Sequence, residues 1–182
     1  MPTAKTGTRS VDVWVATLDQ ADLTLCAWLD ERERERFHRY QADADRARFL
    51  LGATLVRSAV GRALGVGPGE VGVDRTCPTC GGWHGRPSVP ESPVTLSVSH
   101  GGLLVALALS LGGPVGVDVE RVGSRDEQAT RSWTHAEARF KAGSGADLAV
   151  RDLPAPVRGH LLALAAPADA EVRLRAAAEL LP

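Results

Sequence analysis

Two carboxylates stand two residues apart in Gly116-Val-Asp-Val-Glu120. On a β segment that spacing projects Asp118 and Glu120 from one face, while Val117 and Val119 point the other way into a core. Two like charges on one face repel. A surface sheet can carry them without purpose, but a divalent cation relieves the repulsion, and Mg²⁺ suits carboxylates that share it with phosphate oxygens and water. A second block, Ser132-Trp-Thr-His-Ala-Glu-Ala-Arg-Phe-Lys-Ala142, places Thr134 and Glu137 at capping-box spacing and Glu137 and Lys141 at ion-pair spacing on a helix. The same geometry lets Glu137 complete a three-carboxylate metal site, with Lys141 meeting an anionic oxygen beyond the ion. Cys77-Pro-Thr-Cys80 with His84 offers three zinc ligands. No second CxxC follows and Cys26 is distant, so this stretch reads as a structured Gly-rich turn with Trp83 packed beneath it. Three cysteines cannot all pair internally, which excludes a disulfide scaffold.

These residues need a scaffold, and 182 residues that are 44% hydrophobic and 24% charged suit one globular domain or two small halves sharing a core. A net charge of -1 leaves no global field to hold nucleic acid or an anionic membrane, so any anion site must be local. No apolar stretch approaches the roughly 20 residues of a membrane span. The opening MPTAKTGTRS lacks an apolar signal core, which reads as cytoplasmic.

The spacing predicts a strand over Val11 to Leu18, with Val11, Val13 and Val15 on one face, and a charged helix over Trp28 to Tyr40. Within that helix Glu31, Glu33 and Glu35 face Arg34, Arg36 and Arg39 at neighbour spacings, the pattern of a solvated face. The strongest helix runs from Asp45 to Leu64, capped by Asp43 or Asp45 and ended by Gly65. Gly52 inside it suggests that another backbone passes close. Val94 to Ser99, Leu103 to Leu111 and Val115 to Val122 read as an antiparallel meander. Thr134 to Ala142 reads as a short helix, and Gly159 to Ala166 with Glu171 to Ala177 as a closing hairpin in which Val172, Leu174 and Ala176 point inward. Gly65 to Gly72, Cys77 to Pro93 and Gly143 to Gly145 punctuate the elements.

Four blocks in order resemble the 4'-phosphopantetheinyl transferases, in particular the surfactin-synthetase-activating type. They are Arg48-Phe-Leu-Leu-Gly52 with Val56-Arg-Ser58, His84-Gly-Arg-Pro87, Leu96-Ser-Val-Ser-His100, and Gly116-Val-Asp-Val-Glu120 followed by Trp133-Thr-His-Ala-Glu-Ala-Arg-Phe-Lys141. The resemblance implies an α+β fold of two pseudo-symmetric small halves, 1–111 and 112–182, each a helix packed on antiparallel strands, with the active site at their interface. It also implies Mg²⁺-dependent transfer of phosphopantetheine from coenzyme A to a serine of an acyl or peptidyl carrier protein, releasing 3',5'-adenosine bisphosphate, in polyketide or nonribosomal peptide biosynthesis.

In that reading Asp118, Glu120 and Glu137 hold the metal and Glu137 takes the serine proton. Lys141 stabilises or protonates the departing phosphate, Ser99 and His100 meet the pyrophosphate, and Arg48 and Arg86 bind the 3'-phosphate and nucleotide end. Arg36 is a further position where the family tends to be basic. A pseudo-dimer of this type is sufficient as a monomer. The sequence departs from the family at Ala136, where relatives usually carry a lysine, and in the short stretches 121–132 and 142–159. A relative that binds coenzyme A or a carrier without catalysis is the rival reading.

Overall fold

A computed structural model of the chain describes residues 9–123, 126–143 and 147–182. The polar opening through Thr8, and Gly145 in the Gly143 to Gly145 break, lie outside the described residues. The first half contributes β1 (Ser10–Thr17), α1 (Glu31–Arg39), α2 (Asp43–Leu64), β2 (Thr95–Gly101) and β3 (Leu104–Ser110). The second contributes β4 (Gly116–Arg121), α3 (Glu127–Ala142), β5 (Leu148–Leu153) and β6 (His160–Pro167), and β7 (Glu171–Ala176) follows. Strand order is β2-β3-β1-β7 in one sheet and β4-β6-β5 in the other. Each half therefore runs strand, helix, strand, strand, with its last strand in the middle: β2-β3-β1 against β5-β6-β4. This repeated topology is the pseudo-symmetric α+β fold.

The layers follow from alternation along the strands. Val11, Val13 and Val15 of β1 and Leu104, Ala106 and Ala108 of β3 face the second sheet, where Val117, Val119, Leu162 and Leu164 meet them. Trp14, Ala16, Val105, Leu107 and Leu109 face the other way, onto Leu51, Leu55 and Val56 of α2. The order is thus α2, first sheet, second sheet, α3. β3 is buried along its whole length because both its faces are covered, which a continuous apolar run requires.

Several elements differ from the sequence expectation. The meander ends after two strands: β2 and β3 pair antiparallel, but β4 opens the other sheet. Glu171–Ala176 does not close a hairpin with β6, because it pairs parallel with β1 and returns the chain to the first sheet. Val172 packs against the central core, whereas Leu174 is 40% exposed. β5 was not expected at all, and it pairs antiparallel with β6.

Helix α1 starts only at Glu31, after a 3₁₀ turn at Leu23–Trp28, because Asp30 caps it by accepting from Glu33 N–H. Glu33 is fully buried rather than solvated, and its carboxylate receives Arg57 Nε at 2.5 Å. Arg57 is also buried. Its other nitrogens reach Asp30 Oδ2 at 2.5 Å and the carbonyl of Val71 at 2.9 Å, so one guanidinium fastens α1 and the segment after α2 to α2. Only Glu35 and Arg39 form the expected surface pair. Ala42, with no side chain to cap, precedes α2, and Gly65 ends it at φ 72°. At Gly52 the close neighbours are the side chains of Val98 and Val105 at ordinary contact distance, not a backbone.

Candidate active site

The seam between the sheets is built from hydroxyls. Strand β2 runs beside β4, and instead of a main-chain ladder Ser97 Oγ accepts from Val117 N–H at 3.1 Å and Ser99 Oγ accepts from Val119 N–H at 3.3 Å. Gly101 is required there, because a Cβ would lie 2.4 Å from the carbonyl oxygen of Val119. Alternation then gives β2 two jobs. Ser97 and Ser99 turn to β4, while Val98 and His100 turn to α2.

On the β4 side sits a buried charge. Asp118, 3% exposed, accepts from Ser99 Oγ at 2.8 Å and from Lys141 Nζ at 2.6 Å, both on Oδ1. Lys141 also donates to Ser99 Oγ at 3.0 Å, so this hydroxyl uses its donor and both lone pairs. The second oxygen, Oδ2, is buried and has no hydrogen-bond partner among the described residues. A buried anionic oxygen without a donor is costly, and a bound cation would satisfy it. The hard oxygen donors of Asp118 and of Glu120, two residues along the same strand, fit Mg²⁺ by chemistry. Glu120 accepts from Trp133 Nε1 at 3.2 Å.

Helix α3 brings the remaining groups. It begins at Glu127, seven residues before the expected start, where Asp126 caps it by accepting from Ala129 N–H at 2.7 Å. Thr134 is therefore interior, and its hydroxyl donates back to the carbonyl of Thr130, so no capping box involves Glu137. Thr130, Thr134 and Ala138 make a narrow small-residue face, and Ala138 packs on Ala163 and Ala165 of β6. Asp152 of β5 tethers the outer side by accepting from Arg131 and pairing with His135 Nε2 at 2.6 Å. The contact with β4 is tightest at Gly116, where a Cβ would lie 2.0 Å from the carbonyl oxygen of Ala138. This approach carries Lys141 to Asp118. The expected Glu137–Lys141 pair is absent: Lys141 is committed across the seam, and Glu137, partly buried one turn earlier, has no hydrogen-bond or ion-pair partner among the described residues.

On the α2 side of β2, Arg36, Tyr40, Arg48, Phe49, Arg75, Pro87 and His100 line a pocket of about 170 Å³. Ligand pockets usually enclose about 300–1,000 Å³, so this one takes a single charged group or one end of a longer ligand. Arg48 is placed by two donations to the carbonyl of Gly102 and by Asp45 at 2.7 Å. Arg36 and Arg75 differ, since neither has a carboxylate partner among the described residues. Arg36 lies over the Phe49 ring and Arg75 over Trp83, and the buried Nε of Arg75 has no acceptor. Burial holds the Arg75 pKa below its ordinary value. His100 is also held low, first by lost hydration on the pocket-facing part of an otherwise exposed side chain and then by the cations Arg48 and Lys141.

Arg86 is elsewhere. Its guanidinium donates to the carbonyls of Leu96, Val115 and Lys141, joining β2, the start of β4 and the end of α3, rather than lining the pocket. Arg75 is the cation that sequence reasoning missed; the one signal was its position at the foot of the Cys77 turn, whose other foot carries Pro87. The three expected metal carboxylates are not gathered tightly. Among the described residues the only group of three His, Cys, Asp or Glu whose ligand atoms all lie within 4.8 Å is Cys77, Cys80 and His84.

Comparison with known proteins supports a family for the first part of the chain, and the family model ends before Gly116. A family model described as "4'-phosphopantetheinyl transferase, N-terminal" matches residues 13–111. A phosphopantetheinyl transferase of Thraustochytrium sp. is 34% identical over 119 residues, covering 60% of this chain and 39% of that protein. A 4'-phosphopantetheinyl transferase of Bacillus subtilis is 28% identical over 101 residues, 54% of this chain and 41% of that one. The 4'-phosphopantetheinyl transferase HetI of Nostoc sp. is 31% identical over 117 residues, 60% and 47% respectively. The chain thus spans less than half the length of each of these relatives. With its strand–helix–strand–strand repeat and a family match across more than half its residues, the chain belongs to the 4'-phosphopantetheinyl transferases.

Proposed function

We propose that this chain transfers 4'-phosphopantetheine from coenzyme A to a serine hydroxyl of an acyl or peptidyl carrier protein, as the surfactin-synthetase-activating type does. The observation that carries the reading is the two-sided strand β2. One side borders a pocket with two guanidinium groups that make no ion pair among the described residues, and the other holds a buried carboxylate with an unsatisfied oxygen beside a lysine. Coenzyme A has the matching form, with a 3'-phosphate at the nucleotide end and a pyrophosphate at the reacting centre. Halves 1–111 and 112–182 would contribute one side each, in a monomeric enzyme.

Asp118, Glu120 and Glu137 would hold Mg²⁺, which supplies charge neutralisation at the pyrophosphate. Arg36, Arg48 and Arg75 would fix the 3'-phosphate, where planar guanidinium groups make paired bonds to oxygens. His100, uncharged at neutral pH, would donate one N–H to a pyrophosphate oxygen. Glu137, which has no hydrogen-bond or ion-pair partner among the described residues, would take the proton of the carrier serine. The serine oxygen bonds to the pantetheine-side phosphorus as the bond from that phosphorus to the bridging oxygen breaks. Lys141 would stabilise the charge that leaves on 3',5'-adenosine bisphosphate. Arg86 is given no ligand contact here, because its donors already serve three carbonyls.

One observation favours the non-catalytic rival: Lys141 and Trp133 engage Asp118 and Glu120 in this structure. Intact mass of an apo carrier incubated with the protein, coenzyme A and Mg²⁺ separates the two. The expected result is addition of the phosphopantetheine mass, lost in excess chelator and in Asp118→Ala. Tight coenzyme A binding with no mass gain across a panel of carriers would establish the rival.

A further inference from the structure

Outside the proposed reaction site, one group of metal-binding side chains is already assembled. The chain leaves β-bridge partners Asp74 and Ser88 as a narrow stem, closed a step further by Gly85 N–H on the carbonyl of Arg75 at 2.6 Å. At its tip Cys77 N–H donates to the carbonyl of Gly82, and Gly81 N–H returns to the carbonyl of Cys77 at 2.8 Å, with Gly81 at φ 71°. This turn brings Cys77, Cys80 and His84 together, their ligand atoms all within 4.8 Å, and Cys80 Sγ lies 3.0 Å from His84 Nε2. Tetrahedral zinc at about 2.0–2.3 Å from each ligand needs donor atoms about 3.5–3.8 Å apart, so small side-chain rotations suffice.

Two features point to thiolate rather than thiol. Main-chain N–H groups face the sulfurs: those of Cys80 and Thr79 hold the Cys77 pKa below the ordinary thiol value, and Gly82 N–H donates to Cys80 Sγ at 3.4 Å. A side chain at position 82 would intrude on the cluster, since a Cβ there would lie 3.1 Å from His84 Cδ2 and 3.4 Å from Cys80 Sγ. The all-oxygen preference of Mg²⁺ excludes it from such a donor set, and iron–sulfur clusters need four protein ligands where this turn brings together three.

We propose that Cys77, Cys80 and His84 bind one zinc ion, with solvent in the fourth position, and that the ion staples the turn whose stem carries Arg75 and Pro87. Binding displaces the thiol protons to solvent, and no electrons move. The ion takes no part in the bond changes of the transfer reaction.

Untagged protein purified without chelator should carry one zinc per chain by elemental analysis. A thiol-blocking mercurial should release it stoichiometrically to a chromogenic chelator, a measurement on the wild type that needs no variant to fold. Cobalt(II) should substitute with thiolate charge-transfer absorption, and removal of zinc should raise amide exchange across residues 74–87. The C77S/C80S double variant should hold none. Metal-free protein with free thiols, a Cys77–Cys80 disulfide seen as the loss of two hydrogens in mass, or zinc retained by C77S/C80S would each overturn the proposal.

Discussion

Glu137 and Lys141 stand one turn apart on α3 and form no ion pair, which separates their roles at the level of single residues. A helix-capping duty for Glu137 would require the helix to begin at Thr134, and it begins at Glu127. With neither a cap nor an ion pair to lose, Glu137→Gln should leave the melting temperature within about 1 °C of wild type. Transfer should fall by at least the roughly 10²-fold expected for loss of a general base. Rate and thermal melt measured side by side check this, and full transfer by the glutamine variant would remove Glu137 from the mechanism.

His100 gives a pH signature. Its folded pKa lies below the unfolded value of about 6.5, so as pH falls through that value the unfolded chain takes the proton first. Stability should therefore decline from about pH 6.5 downward until the folded ring also protonates. A bound phosphate acts in the opposite sense, since it favours the charged ring and makes coenzyme A affinity rise on acidification. His100→Gln keeps a donor and cannot titrate. Between pH 7 and pH 5 it should lose less stability than wild type and show a flatter affinity profile; identical slopes for both proteins would exclude the ring as the titrating group.

At the scale of elements, long apolar signals were legible and small-residue packing was not. The strand around Val13, the helix through Leu55 and its stop at Gly65 follow from period and glycine alone. The first two turns of α3 were missed because its buried face is Thr130, Thr134 and Ala138, which carries no hydrophobic period. β5 was missed for a related reason: its only fully buried residue is Leu148. Glu33 was misread as solvated because its partner, Arg57, is 24 residues away. The candidate residues on β2 and β4 stood out as motifs, while the place of Arg75 beside the pocket required knowing that the turn closes on itself.

Close packing of α3 also makes Gly116 critical. A methyl group there would sit 2.0 Å from the Ala138 carbonyl and 2.5 Å from the Ala142 nitrogen, both backbone atoms that cannot rotate away. Gly116→Ala should force the C-terminal end of α3 off β4 and separate Lys141 from Asp118. The expected outcome is a loss of at least about 2 kcal/mol in chemical denaturation, the scale of overpacking in a rigid core, with transfer lost in the protein that remains folded. Wild-type stability in Gly116→Ala would show that the helix does not approach as described.

For the whole molecule, the question is what keeps two layered halves in one register. The apolar core between the sheets is non-directional, and the sheets share no backbone ladder at the seam. Direction comes from the serine hydroxyls of β2 and from Arg86, whose donors reach carbonyls on β2, before β4 and at the end of α3. The return of β7 to β1 adds a covalent tie, as the chain crosses from the second sheet back to the first. Arg86 and Arg75 are thus two cations on one short stem with opposite employment, and coenzyme A lacking its 3'-phosphate distinguishes them.

Charged hydrogen bonds contribute about 1.5–3 kcal/mol, less where water has access, so Arg86→Ala should cost about 2 kcal/mol. For a chain of this size that is roughly 4–8 °C in melting temperature. Its preference for coenzyme A over the 3'-dephospho form should match wild type, because no donor toward that phosphate has been removed. Arg75→Ala should do the reverse. Its half-buried guanidinium makes no ion pair and its buried Nε has no acceptor, which is costly to the folded state, so its loss should leave the melting temperature unchanged or higher while the preference for the 3'-phosphate falls. Binding of both ligands by calorimetry, with a thermal melt of each variant, reads all four quantities. If Arg86→Ala lost the preference at wild-type stability, Arg86 would be a ligand arginine, and the register of the two halves would rest on the serine seam and β7 alone.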